Sequence, residues 1–102
     1  MNRTYFAFAL LVSAISLRCF AEDLINDPNF KTNCAMCHGE NAEGRERMKT
    51  PPMKEQAGKS EEELTKAIEN GNNTTTPKMP PFKDKLTPEQ IKALVAEIKA
   101  LK

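Results

Sequence analysis

Tryptophan is absent from this 102-residue chain, and tyrosine and histidine each occur once. With only 39% hydrophobic residues, protein side chains alone would build a thin core. Domains this small are commonly stapled by disulfides, a metal or a cofactor. Excess charge is also missing: 15 basic side chains stand against 14 acidic ones. That balance excludes the strongly basic composition of nucleic-acid binders. No apolar run reaches the ~20 residues of a membrane-spanning helix; the run from Tyr5 to Leu17 covers 13.

That short run has the form of a secretory signal. Arg3 supplies the positive start, and Cys19 and Ala21 are small residues at the −3 and −1 positions of a cleavage site before Glu22. The expectation is a leader over 1–21, a single domain over 22–102, export to the periplasm or an equivalent space, and no stable membrane anchor. Cys19 would leave with the leader. Lipid attachment there is disfavoured, because Leu17 and Arg18 are large or charged where small residues are needed. Without Arg3 and Arg18 the formal charge becomes −1.

The two remaining cysteines lie in Cys34-Ala35-Met36-Cys37-His38, a C-x-x-C-H sequence. This is the pattern by which haem is attached through two thioethers. Its thiols add to the two vinyl groups, and a two-residue spacer lets one backbone turn present both sulfurs to one porphyrin edge. The following histidine is placed beside the iron, where a neutral imidazole nitrogen can bind it. Two haem-free readings are a redox dithiol and half a zinc site. The first lacks a βαβ pattern, and a single histidine cannot complete a tetrahedral Cys/His set.

Along the domain, residues 22–26 read as a polar lead-in containing Leu24 and Ile25. Asp27-Pro28 opens a short helix running into Cys34, since Asp caps free amides and Pro lacks the N–H that the first position does not need. Phe30 on that helix is a core aromatic. Arg45, Arg47 and Lys49 are either solvated loop charges or partners for a haem propionate. Thr50-Pro51-Pro52-Met53 is rigid and cannot be helix interior. Ser60 and Glu63 form a capping box for a helix with Leu64 and Ile68 on one face, stopping near Asn70-Gly71. An extended loop over 72–82 carries Met79 between prolines; by composition alone Met79 is a loop methionine or a core plug. Thr87-Pro88-Glu89-Gln90 opens the last helix, where Ile91, Leu94, Val95, Ile98 and Leu101 make one apolar stripe.

Met79-Pro80-Pro81-Phe82 has the form M-P-x-F about 40 residues after His38. Taken with the attachment motif, the proline segment and the two capped helices in this order, residues 27–102 resemble the small monohaem class I c-type cytochromes. The resemblance implies an all-α cytochrome c fold, with three to four short helices and loops wrapped around one covalently attached haem c. It further implies Cys34 and Cys37 as attachment sites and His38 and Met79 as axial iron ligands. Pro51 would accept a hydrogen bond from the other nitrogen of His38, and Met53, Leu64 and Ile68 would lie against the haem. The chain departs from its relatives at Ala96-Glu97-Ile98, where they often carry an aromatic. Phe30 should therefore meet aliphatics such as Leu94 or Ile98.

With both axial positions filled, the implied role is a soluble, monomeric one-electron carrier and not an enzyme. Rival expectations are an electron-accepting haem subunit of a periplasmic dehydrogenase or oxidase, and a haem sensor with a labile methionine ligand. The redox partners are not identified by the sequence. Lys78, Lys83 and Lys85 are either solvated loop charges or a basic rim that steers acidic partners.

Overall fold

Local capping fixes the three main helices. In the computed structural model, which describes residues 23–102, the Asp27 carboxylate accepts from the Asn29 amide at 2.8 Å and Pro28 starts α1 (Pro28–Asn33). A separate single turn, α2 (Ala35–His38), follows directly. Both longer helices open with reciprocal capping boxes: Ser60 with Glu63 at α3 (Glu61–Asn70), and Thr87 with Gln90 at α4 (Pro88–Lys99). Each box satisfies two amides that a helix start leaves without an internal partner. Three short 3-10 turns, Leu24–Asn26, Glu46–Met48 and Met53–Gln56, complete the regular structure of the described residues. Among the described residues there are no strands, only two isolated antiparallel bridges, Arg45↔Thr50 and Asn72↔Met79. The leader expected over 1–21 lies outside the described residues.

The architecture is thus the expected all-α one, and α4 is its hub. It packs on α3, on α1 and on the turns at Leu24–Asn26 and Met53–Gln56. Ile91, Leu94, Val95 and Ile98 are all buried, as the helical spacing requires. Phe30 and Leu94 are each only 1% exposed and share one core cluster with Ile98. No aromatic residue lies on α4, so this helix offers Phe30 aliphatic side chains.

Three features differ from the sequence reading. Leu24, expected in a polar lead-in, is 1% exposed and one of the three most buried large side chains. The 3-10 turn folds the lead-in back so that this leucine enters the core beside α1 and α4. Leu101 lies beyond the end of α4 and is only partly buried, because the helix stops at Lys99. Glu97 shares the buried face of α4, three residues after Leu94.

Replacing Leu24 with Ala should therefore cost about 2–5 kcal/mol of holoprotein stability in denaturant unfolding. A loss under about 0.5 kcal/mol, as at surface positions, would contradict its core role.

Candidate haem site

The attachment turn begins where α1 breaks. The Cys34 amide still donates to the Phe30 carbonyl at 2.9 Å, while its backbone (φ −120°, ψ −33°) redirects the chain into α2. The Cys34 carbonyl then accepts from the His38 amide at 2.9 Å, which closes the turn. A helix this short leaves its last carbonyls without helical partners. Only the Ala35 carbonyl has one, the Gly39 amide at 2.7 Å; residues 44–50 hold those of Cys37 and His38 and add a second bond to that of Ala35. The Gly44 amide donates to the His38 carbonyl at 2.7 Å, Arg45 Nε donates to the Ala35 carbonyl at 3.3 Å, and the Thr50 hydroxyl donates to the Cys37 carbonyl.

Gly44 is required at its place in this strap. Its φ is +88°, and a Cβ there would lie 2.5 Å from the Thr50 carbonyl oxygen and 2.9 Å from that of Pro51. Arg45, Arg47 and Lys49 are exposed.

The chemistry of the side chains differs from that of a redox dithiol. Cys34 and Cys37 are free thiols, both partly buried. Burial pushes the Cys34 thiol up to about 11, and the nearby Asp27 and Cys37 charges add to the rise. A dithiol catalyst needs the opposite shift, toward thiolate. Burial lowers the pKa of His38 and so favours the neutral imidazole, the form that binds a metal.

His38 Nδ1 is buried and has no hydrogen-bond partner. The bond that this nitrogen is expected to donate to the Pro51 carbonyl is thus not formed. Pro51 is exposed, and its carbonyl lies against Gly44.

The loop after α3 carries Met79. The Asn72 and Met79 backbones exchange two hydrogen bonds, at 2.9 and 3.0 Å, and so close the loop at its neck. Gly71 precedes the neck with φ +72°, and a Cβ there would collide with the Met79 carbonyl oxygen. Beyond the neck, the Phe82 amide donates to the Ile68 carbonyl at 2.9 Å, which ties the chain to the end of α3. Asn72 Oδ1 accepts from the Thr74 amide and hydroxyl, so its side chain shapes the loop as well.

One apolar cluster brings together most of the residues singled out in the sequence. Met53, Leu64 and Ile68 are buried in it, and Cys34 and Met79 pack against it half-buried. Pro51 lies outside this cluster. Lys78, Lys83 and Lys85 are exposed, with Lys85 Nζ 5.5 Å from the centroid of the Phe82 ring. The bonds from Thr50 and Arg45 and the Asn72–Met79 neck had no sequence signal, since each depends on where a loop returns.

These residues suit a covalently held iron porphyrin. They offer two free thiols one turn apart, an imidazole that burial holds toward its neutral form, and a thioether against an apolar core. Among the described residues, no three His, Cys, Asp or Glu side chains gather to hold a bare metal ion. No helix among them is long and apolar enough to cross a membrane.

Known proteins point the same way. Residues 27–96 match the family described as cytochrome c oxidase, cbb3-type, subunit III. Cytochrome c6 from Nostoc sp. (strain PCC 7120) is 33% identical over 94 residues, covering 88% of this chain and 81% of that protein. Among solved structures, the KustC0563 c-type cytochrome superposes with a TM-score of 0.59 at 30% identity, over 79% of this chain and 99% of the other. A tyrosine-to-phenylalanine mutant of that cytochrome gives a TM-score of 0.57 at 31% identity, over 79% and 100% of the two chains. With attachment motif, fold and relatives in agreement, the chain belongs to the cytochrome c family, as a small class I c-type cytochrome with covalently bound haem c.

Proposed function

We propose that this chain carries single electrons between partner proteins outside the cytoplasm, with His38 and Met79 as the two axial ligands of its haem iron. The observation that carries this reading is the single apolar core, against which Cys34 and Met79 both pack although 45 positions separate them. Cys34 and Cys37 would hold the haem through thioethers. When bound, the haem supplies a one-electron ferric/ferrous couple, and a methionine ligand raises its potential.

The chain's own residues account for the remaining requirements. Burial keeps His38 neutral and able to bind iron. The neck between Asn72 and Met79 fixes the thioether's backbone in advance, so little rearrangement accompanies transfer. Met53, Leu64 and Ile68 keep water from the site, and a low dielectric disfavours the additional ferric charge. Two axial protein ligands leave no vacancy for substrate, which favours electron transfer over catalysis. The leader expected over 1–21 from the sequence would direct the chain to the periplasm.

A second reading is an electron-accepting subunit of a larger enzyme. The family description, which names an oxidase subunit, favours it. Stable co-purification with an oxidase or dehydrogenase would distinguish it from the free carrier.

For the ligand assignment, Met79→Ala should abolish the thioether-to-iron absorption band of the ferric holoprotein while leaving the haem covalently attached. An unchanged ferric spectrum would refute Met79 as ligand.

For docking, exposed Lys78, Lys83 and Lys85 form a basic rim near the methionine loop that steers acidic partners. Changing all three to Gln should slow transfer to an acidic redox partner by roughly tenfold at low salt. The difference should vanish at high salt, where charges are screened. Equal rates for variant and parent across the whole range would remove the rim from the account.

A further inference from the structure

The hydroxyl of Thr50 is the feature that the proposed function leaves unused. It lies in the rigid segment before Pro51-Pro52, yet its bonds run to the attachment turn. Thr50 Oγ1 accepts from the Arg45 amide at 2.8 Å and donates to the carbonyl of Cys37. A second acceptor, the Arg45 carbonyl, stands farther off at 3.4 Å. A hydroxyl has one proton to donate, so the Cys37 carbonyl takes it. The Thr50 amide in turn donates to the Arg45 carbonyl at 3.2 Å, which holds the threonine against the strap from its backbone as well.

The position of that carbonyl gives the bond its meaning. Cys37 and His38 share one peptide unit, whose oxygen belongs to Cys37 and whose N–H belongs to His38. Thr50 holds the oxygen, and the Cys34 carbonyl holds the N–H at 2.9 Å. With both ends bonded, the peptide plane from which the His38 side chain departs cannot rotate freely. The next carbonyl, that of His38, is held by the Gly44 amide at 2.7 Å. His38 therefore has fixed peptides on both sides, although its ring nitrogen Nδ1 has no partner.

We propose that Thr50 is a positioning residue for the haem iron: its hydroxyl sets the orientation of the His38 imidazole through the Cys37 carbonyl. The Thr50 bond acts on the backbone from which the imidazole departs, one peptide away from the ring. The inference rests on His38 being an iron ligand. Its effect on the attachment turn can nevertheless be read independently of what binds the iron.

The test compares parent, Thr50→Val and Thr50→Ser holoproteins. Valine keeps the shape without the hydroxyl, and serine restores the hydroxyl. Amide hydrogen exchange at His38 reports the turn itself, and the ferric electron paramagnetic resonance spectrum reports the orientation of the axial ligands. In Thr50→Val, exchange at His38 should rise about fivefold or more, as expected for losing one hydrogen bond. Its ferric g-values should also shift from the parent's, and Thr50→Ser should match the parent in both measurements. Parent-like behaviour of Thr50→Val in both would overturn the proposal. Faster exchange with unchanged g-values would also overturn it, since the hydroxyl would then be structural only. If Thr50→Val does not fold, Thr50→Ala takes its place under the same criteria. Failure of both to fold while Thr50→Ser folds would assign the hydroxyl to stability and reject the positioning role. Exchange at His38 bears on the turn whichever residues bind iron, so failure of the ligand assignment reads out separately.

Discussion

Everything in this small domain depends on holding one turn of backbone, Cys34 to His38, in a single arrangement. A four-residue helix cannot do this alone, because too few of its own hydrogen bonds close. Neighbouring segments supply what it lacks. From the N-terminal side, the Phe30 carbonyl takes the Cys34 amide; from the C-terminal side, residues 44–50 take the carbonyls of Ala35, Cys37 and His38. α1 is anchored in turn by Phe30 in the core against α4. The long helix, the short helix and the strap thus act together on one turn, and that turn carries Cys34, Cys37 and the chain's only histidine.

The Met79 loop is built on a different principle. No helix carries Met79, so a backbone neck to Asn72 and a tight approach that depends on Gly71 do the holding. The neck sits directly after α3, whose buried face contributes Leu64 and Ile68 to the same apolar cluster. A haem plate bound here would supply the apolar contact area that a chain without tryptophan lacks. Stability and redox chemistry would then rest on the same contacts.

Legibility in the sequence followed the range of the interaction. Helix starts were legible because a capping box is written within four residues, as at Ser60 and Thr87. The α4 stripe was legible through its period. Leu24 was not, since a three-residue 3-10 turn is too short to show any periodicity. The Arg45 and Thr50 bonds to α2 join residues 10 and 13 positions apart through a loop, and residue type alone does not announce them. Pro51 shows the limit of resemblance: the chain has the proline, but the carbonyl lies against Gly44 and His38 Nδ1 is left without a partner. Met79 stood out only through its family pattern, because a loop methionine between prolines has several uses.

The central claim is that Cys34 and Cys37 hold one haem covalently and that the fold is organised around it. Intact mass of the purified, denatured protein tests this most directly. The account predicts a chain carrying the added mass of one haem that survives denaturation, and complete loss of that mass in the Cys34→Ala/Cys37→Ala double variant. A folded parent protein with the mass of the bare polypeptide, produced in cells that mature c-type cytochromes, would contradict it.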